Sequence, residues 1–326
     1  MMRRLLATLL LLLVAYGATF WRSPVPEPSF DPRVMFDDLM PEIRRGGLPA
    51  MGAVDLAGAW HLRSVNRDFG SYSALAALPD GQLLAVSDKN GVLRFDPPGR
   101  RVPQRTAIRP LFSGNPFIAK HEADAEALAI DPATGDVWAS FEGNAVFVRF
   151  APDFSTYAKV GAPVLEQWPD NSGPEAMTRL ADGRFVAMIE DSTSLFHPDR
   201  HPVLVYPGAP RPGEVPARRW VEMPGGFRPT DTAQLPDGRL LVLGRKVTLT
   251  GFTCILALVE PSKFSAGAVV IAREVARIDD RRLRDNYEGL AVAREVDGSV
   301  TLWLVSDDNL STWFQRTLLL ELRWRG

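Results

Sequence analysis

A chain of 326 residues, 46% of them apolar, is long enough for one large all-β domain or two average ones and can bury a sizeable core. With 37 basic against 39 acidic residues the formal charge is −2, which leaves no global field to draw nucleic acid or a membrane surface. The single cysteine, Cys254, excludes an internal disulfide and argues against a cysteine-based zinc site; within its apolar run it reads as a small buried hydrophobe.

The chain starts with Met1-Met2-Arg3-Arg4 and then runs from Leu5 to Tyr16 almost without polar side chains, the charged and apolar parts of a secretory signal. Residues 1–18 are therefore expected to direct export, with cleavage after Ala18. Tyr16 fits the cleavage rule poorly, so an uncleaved anchor is the alternative, although the run is short for a span of about 20 residues. The expected location is periplasmic or secreted, with membrane contact only through an uncleaved N-terminal segment. Residues 19–47, including Ser23-Pro24-Val25-Pro26-Glu27-Pro28, read as an extended linker, and the folded domain is expected over 48–326.

From there a phrase recurs about every fifty residues, the mark of propeller blades. It begins at Tyr72-Ser73-Ala74, Ala125-Glu126-Ala127, Pro174-Glu175-Ala176, Thr230-Asp231-Thr232 and Tyr287-Glu288-Gly289. Four copies turn through an Asp-Gly pair, at 80–81, 182–183, 237–238 and 297–298, and continue into a second apolar strand. Asp-Gly supplies the positive φ that tight hairpins need. Further strand-like runs fill out each copy, and none shows a long helical period. The expected fold is all-β: a single β-propeller of five or six four-stranded blades. Residues 54–62 are expected to supply a closing strand, and a sixth, degenerate blade would have to lie within 98–120 or 195–225.

Aligned by these phrases, one position holds Ser73, Glu126, Glu175, Asp231 and Glu288. Inner strands of a propeller surround one axis, so these four carboxylates are expected to converge. Like charges so placed need a positive partner. A hard cation, Ca²⁺ first and Mg²⁺ second, fits oxygen ligands from Glu126, Glu175, Asp231 and Glu288, with Asp307 in support. An arginine, Arg228 or Arg179, would serve equally, and the plainer reading is that these carboxylates cap backbone amides or face channel water. A second set closes the following strands: Asp88, Glu142, Glu190-Asp191, Arg245-Lys246 and Asp307-Asp308-Asn309. His121-Glu122-Ala123-Asp124 either adds to the site or is a solvated loop, and His197 and His201, beside Pro198 and Pro202, read as loop residues.

No Gly-x-Ser-x-Gly elbow, His-Glu-x-x-His, P-loop or dinucleotide fingerprint occurs. The phrases Asp124-Ala125-Glu126-Ala127-Leu128-Ala129, Gly173-Pro174-Glu175-Ala176-Met177, Asn286-Tyr287-Glu288-Gly289-Leu290-Ala291 and Val305-Ser306-Asp307-Asp308-Asn309 resemble the phytase-like, esterase-like domain of bacterial secreted β-propeller proteins. The resemblance extends over about residues 50–324 and implies phosphate-ester or carboxylic-ester hydrolysis. The sequence departs from it where Ala replaces Gly after Glu126 and Glu175, and it lacks the Arg-His-Gly-x-Arg-x-Pro signature of histidine acid phosphatases.

Two functions follow as expectations. One is a metal-assisted hydrolase of small-molecule esters, with Glu126, Glu175 and Glu288 as catalytic carboxylates and Lys89, Arg245 and Lys246 as basic groups near the mouth. The other is a non-catalytic envelope binding or scaffold propeller with a structural cation or water in its channel. A monomer is expected in either case.

Overall fold

The structure is a computed structural model; it describes residues 9–10, 29–112, 123–141, 146–162, 164–165, 173–191, 196–249, 251–266, 269–311 and 313–326. The export signal expected over residues 1–18 lies outside these apart from Leu9 and Leu10. Among the described residues no helix is long and apolar enough to cross a membrane.

Five antiparallel blades surround one axis. The first is built of Tyr72–Ala77, Leu83–Ser87, Gly91–Phe95 and Thr106–Pro110. The second is built of Ala125–Ile130, Val137–Phe141, Val146–Phe150 and Tyr157–Gly161. The third holds Pro174–Arg179, Phe185–Ile189, Arg200–Tyr206 and Ala217–Glu222, with Val269–Ile271 added in parallel at its outer edge. The fourth holds Arg228–Gln234, Leu240–Thr248, Gly251–Val259 and Arg273–Ile278. The fifth starts with Asn286–Arg294, Val300–Asp307 and Leu318–Trp324. It is completed by Val54–Arg63 and Met35–Asp38 from the other end of the chain.

The closing strand therefore falls where the sequence places it, and Val54–Arg63 pairs antiparallel with Leu318–Trp324. Closure of this kind joins the two ends of the described chain in one sheet and covers the Leu318–Trp324 edge of the last blade. Four strands per blade holds only approximately, since two sheets have five. The blade number is five: Thr106–Pro110 is the outer strand of the first blade, and Arg200–Tyr206 and Ala217–Glu222 belong to the third. Part of the expected linker is also folded. Met35–Asp38 is a strand, and Met40–Arg45 is a short helix that buries Met40 and Ile43 against the core.

The Asp-Gly turns build the inner hairpins. Gly81, Gly183, Gly238 and Gly298 all have positive φ, between 81° and 92°. Each preceding aspartate accepts the amide two residues on, as when Asp237 Oδ1 accepts Arg239 N at 2.9 Å. Between blades the apolar faces interlock. Phe112, Phe141 and Phe150 pack between the first two blades, and Trp138, Phe185 and Tyr206 between the next two. Arg100 ties the first blade to the fifth, reaching Glu295 and Glu321 at 2.7 Å each while lying over the Trp303 ring. Cys254 is buried in the fourth blade, and burial pushes its thiol up to about 12, which makes it inert in the native fold.

Candidate functional site

Every inner strand carries a β-bulge near its start. The register skips one residue between Tyr72 and Ala74, Ala125 and Ala127, Pro174 and Ala176, Pro229 and Asp231, and Tyr287 and Gly289. The bulged residues are Ser73, Glu126, Glu175, Thr230 and Glu288. A bulge re-aims one side chain out of the pleat, and here it does so at the same level of all five blades. The equivalence read from the phrases alone is therefore off by one in the fourth blade: Thr230, not Asp231, matches the glutamates.

Asp231 does something else. It stands where the other blades have Ala74, Ala127, Ala176 and Gly289, and it is 2% exposed. Its Oδ1 accepts Thr232 N at 2.7 Å, its Oδ2 accepts Leu290 N at 2.6 Å, and the Leu75 amide is a third donor. One carboxyl thus joins the inner strands of the fourth, fifth and first blades. An innermost strand has no sheet partner on its axial side, so amides aimed at the axis need an acceptor, and Asp231 is that acceptor. Burial raises its pKa well above the ordinary carboxylate range, against the three amides. This is the plainer of the two roles considered for it, an amide cap.

Above Asp231 the ends of the second strands face the bulges. Asp88, Glu190, Arg245 and Asp307 occupy matching places in four blades; Glu142, the corresponding residue of the second blade, lies outside the described residues, as do His121 and Glu122. Arg245 is at the centre. Its Nη1 donates to Asn286 Oδ1 at 2.8 Å and to Glu288 Oε1, and its Nη2 donates to Glu190 Oε1 at 2.7 Å. Glu175 also lies within its field, and the surrounding carboxylates raise its pKa against the burial that lowers it. Asn286 Nδ2 donates to Glu288 Oε1 at 2.9 Å and to Asp307 Oδ2 at 3.3 Å, so one amide holds two carboxyl groups.

Both of those groups are raised in pKa. Burial is the main cause for each; Arg245 opposes it at Glu288, while the Glu288 and Asp88 charges add to it at Asp307. On the first-blade side Lys89 stands among Asp308, Asp88 and Asp307; burial lowers its pKa and those carboxylates raise it. Asp308 is a tie rather than a free group, accepting Thr317 Oγ1 at 2.9 Å and Leu310 N at 3.0 Å.

The expected site residues are thus partly gathered. Glu288 and Asp307 come together through Asn286, and Glu175 shares the field of Arg245. Glu126 sits in the matching bulge of the second blade and makes an interaction of its own. Asp231 turns to the axial amides instead. Of the basic groups, Lys89 and Arg245 are in the mouth, whereas Lys246 is turned to Gly225 O at 2.7 Å. The chief balancing arginine is Arg245; Arg228 reaches Glu190 only at 3.9 Å and pairs more closely with Asp191 at 2.9 Å, and Arg179 pairs with Asp131 at 2.8 Å. His201 is not a loop residue: it lies buried in the third blade, its Nδ1 bonded to Glu190 O at 2.6 Å. Asn286 was missed as a site residue. It stands two places before Glu288, in the phrase Asn286-Tyr287-Glu288, and no recurrence in the other blades marks it.

A divalent cation would need several carboxylates turned to one point. Among the described residues no group of three or more His, Cys, Asp or Glu is so arranged. Arg245 takes an oxygen of both Glu190 and Glu288, and Asp231 gives both of its oxygens to amides. The set expected to hold Ca²⁺ or Mg²⁺ does not form a ready ligand shell, and no step below runs through a metal. At the opposite end the channel opens into a cavity of about 280 Å³ lined by all five inner strands, with Ala76, Ala129, Ala181, Ala233 and Ala291 in its wall.

A family model described as "Phytase-like: Esterase-like activity of phytase" matches residues 67–310. None of the curated proteins compared with the chain matches it. Among solved structures the chain is similar to a PQQ-bound aldose sugar dehydrogenase from Streptomyces coelicolor, at 16% identity, 85% of this chain, 99% of that one and a TM-score of 0.46. It is also similar to regucalcin, a calcium-binding protein from Agrobacterium tumefaciens, at 13% identity, 86% and 92% coverage and a TM-score of 0.44. A third is the Malassezia sympodialis allergen Mala s 1, at 13% identity, 82% and 88% coverage and a TM-score of 0.44.

Proposed function

The chain belongs to the phytase-like family, and from that premise we propose that it is an exported hydrolase of small phosphate or carboxylic esters working at the charged mouth of its channel. The observation that carries the proposal is the carboxyl pair Glu288 and Asp307, held by the one Asn286 amide beside Arg245. Burial raises the pKa of both, and the Glu288 charge raises Asp307 further, so the two hold one proton between them in preference to losing both. Such a pair supplies an acid and a base together. The ionised member takes a proton from water as its oxygen attacks the ester carbon or phosphorus. The protonated member gives its proton to the leaving alkoxide. The charge that builds on the ester oxygen meets the Arg245 guanidinium. Acid and alcohol leave, and the pair is again singly protonated. Export follows from Arg3-Arg4 and the apolar run after them; cell fractionation with N-terminal sequencing tests it, and a full-length cytoplasmic product contradicts it.

The activity is tested with p-nitrophenyl phosphate and p-nitrophenyl acetate, each in EDTA and in CaCl₂. The wild type turns over one of the two classes in EDTA, and Glu288→Gln and Asp307→Asn lose about 10²–10⁴-fold, the size of a general acid–base contribution. A wild type inactive on both classes overturns the proposal and leaves the second reading, an envelope binding module. That reading is favoured by one observation: Glu190 and Glu288 are already engaged by Arg245.

A further inference from the structure

The fourth blade is the odd one at the mouth. At the bulge it has Thr230 where three other blades have glutamate, and at the end of the second strand it has Arg245 where Asp88, Glu190 and Asp307 stand elsewhere. Thr230 is spent on structure, its Oγ1 donating to Tyr287 O at 3.2 Å. Arg245 reaches oxygens of two other blades: Glu190 in the third, and Asn286 and Glu288 in the fifth. Only 19% of its side chain is exposed, against 20% for Glu190 and 12% for Glu288. Glu175 adds a third carboxylate to its field.

We propose that Arg245 is the resident counter-ion of the channel, a guanidinium built into the position that a divalent cation would otherwise have to fill. Glu190 and Glu288 with the Asn286 carbonyl offer only oxygen, the donor type suited to Ca²⁺, and all three are bonded to the guanidinium. A planar five-donor cation serves three blades at once, which a lysine ammonium at the same place does not do as well. The wild-type fold is then indifferent to divalent cations. Taking the guanidinium away leaves the oxygens facing one another, and they take up the ion that the arginine displaces.

The test reads stability rather than turnover, so its failure is distinct from failure of the hydrolase reading. Thermal melting of the full chain is followed in EDTA and in CaCl₂ for the wild type, Arg245→Ala, Arg245→Lys and the double variant Arg245→Ala/Glu288→Gln. The wild type melts at the same temperature in both. Arg245→Ala melts about 5–15 °C lower in EDTA, the shift expected from stripping one partner out of a buried ion pair. It recovers part of that in CaCl₂, with about one Ca²⁺ bound per chain by equilibrium dialysis. Arg245→Lys falls between the two in EDTA. The double variant is more stable than Arg245→Ala in EDTA, because one of the repelling carboxylates is gone, and it responds less to Ca²⁺. A wild type that loses stability in EDTA and regains it with Ca²⁺ overturns the proposal even if no variant folds. So does an Arg245→Ala protein that folds but binds no Ca²⁺.

Discussion

Replacing Asp231 tests the closure of the ring where the structure makes its most specific demand. Its two oxygens accept Thr232 N at 2.7 Å and Leu290 N at 2.6 Å, and the Leu75 amide is a third donor, so three strands of three blades meet on one side chain. Asp231→Ala leaves those donors in a place that is 2% exposed, with little room for water. A buried donor without a partner costs about 1–3 kcal/mol. Three of them, less the relief of no longer burying a carboxyl, give a loss of about 3–6 kcal/mol. In a domain of this size each kcal/mol moves Tm by about 2–4 °C, so the melting temperature drops by roughly 6–24 °C. Asp231→Asn keeps the shape and one carbonyl acceptor, and its loss is about half as large. Urea unfolding followed by tryptophan fluorescence gives both values. An Asp231→Ala protein within about 1 kcal/mol of the wild type would refute the role assigned to this carboxyl.

Two further expectations concern the same side of the ring. A Cβ on Gly289 would lie 2.8 Å from the Leu75 amide nitrogen and 2.6 Å from Val305 Cγ1, so Gly289→Ala costs about 1–3 kcal/mol. Gly161→Ala, where the same Cβ meets nothing within 4 Å, is the control in the same urea melts and stays near wild type. Asp285 is held up to about 6, chiefly by burial and against the Asn286 amide and Arg316. Its native state keeps a proton that the unfolded chain gives up near pH 4, so this residue's contribution to stability falls as pH rises from about 4 to about 6 and is flat above that. The full swing is about 3 kcal/mol, and melts from pH 4 to 7 of wild type and Asp285→Asn isolate it as a difference that shrinks with rising pH. A difference that grows instead reverses the sign and contradicts the burial of Asp285.

The fold was legible because a propeller repeats its own signals. The Asp-Gly pairs marked the inner hairpins, and the apolar run at 54–62 had no other sheet to join once the last repeat fell one strand short. The folded part of residues 19–47 was not legible: Met35–Asp38 and Met40–Arg45 carry weak local pattern and are ordered by docking on the fifth blade and its core. The site was half legible. Recurrence placed Glu126, Glu175 and Glu288 at one level, but a bulge is a register event rather than a residue type, and without it Thr230-Asp231 aligned one place out. The role of the ion at the centre was hidden for a related reason. Recurrence set Arg245 level with Asp88 and Glu190 and near the mouth, but only charge balance within the closed ring makes it, and not Arg228 or Arg179, their counter-ion.

The pH dependence of turnover in EDTA, for the wild type and Asp307→Asn on the better of the two p-nitrophenyl substrates, tests the claim about the mouth most directly. A pair sharing one proton gives a bell: activity falls on the acid side when both carboxyls are protonated and on the alkaline side when both are ionised. The wild type should show that bell, and Asp307→Asn, with one titrating member gone, should keep a single limb at a much lower rate. A bell unchanged in shape and height in Asp307→Asn would contradict the account.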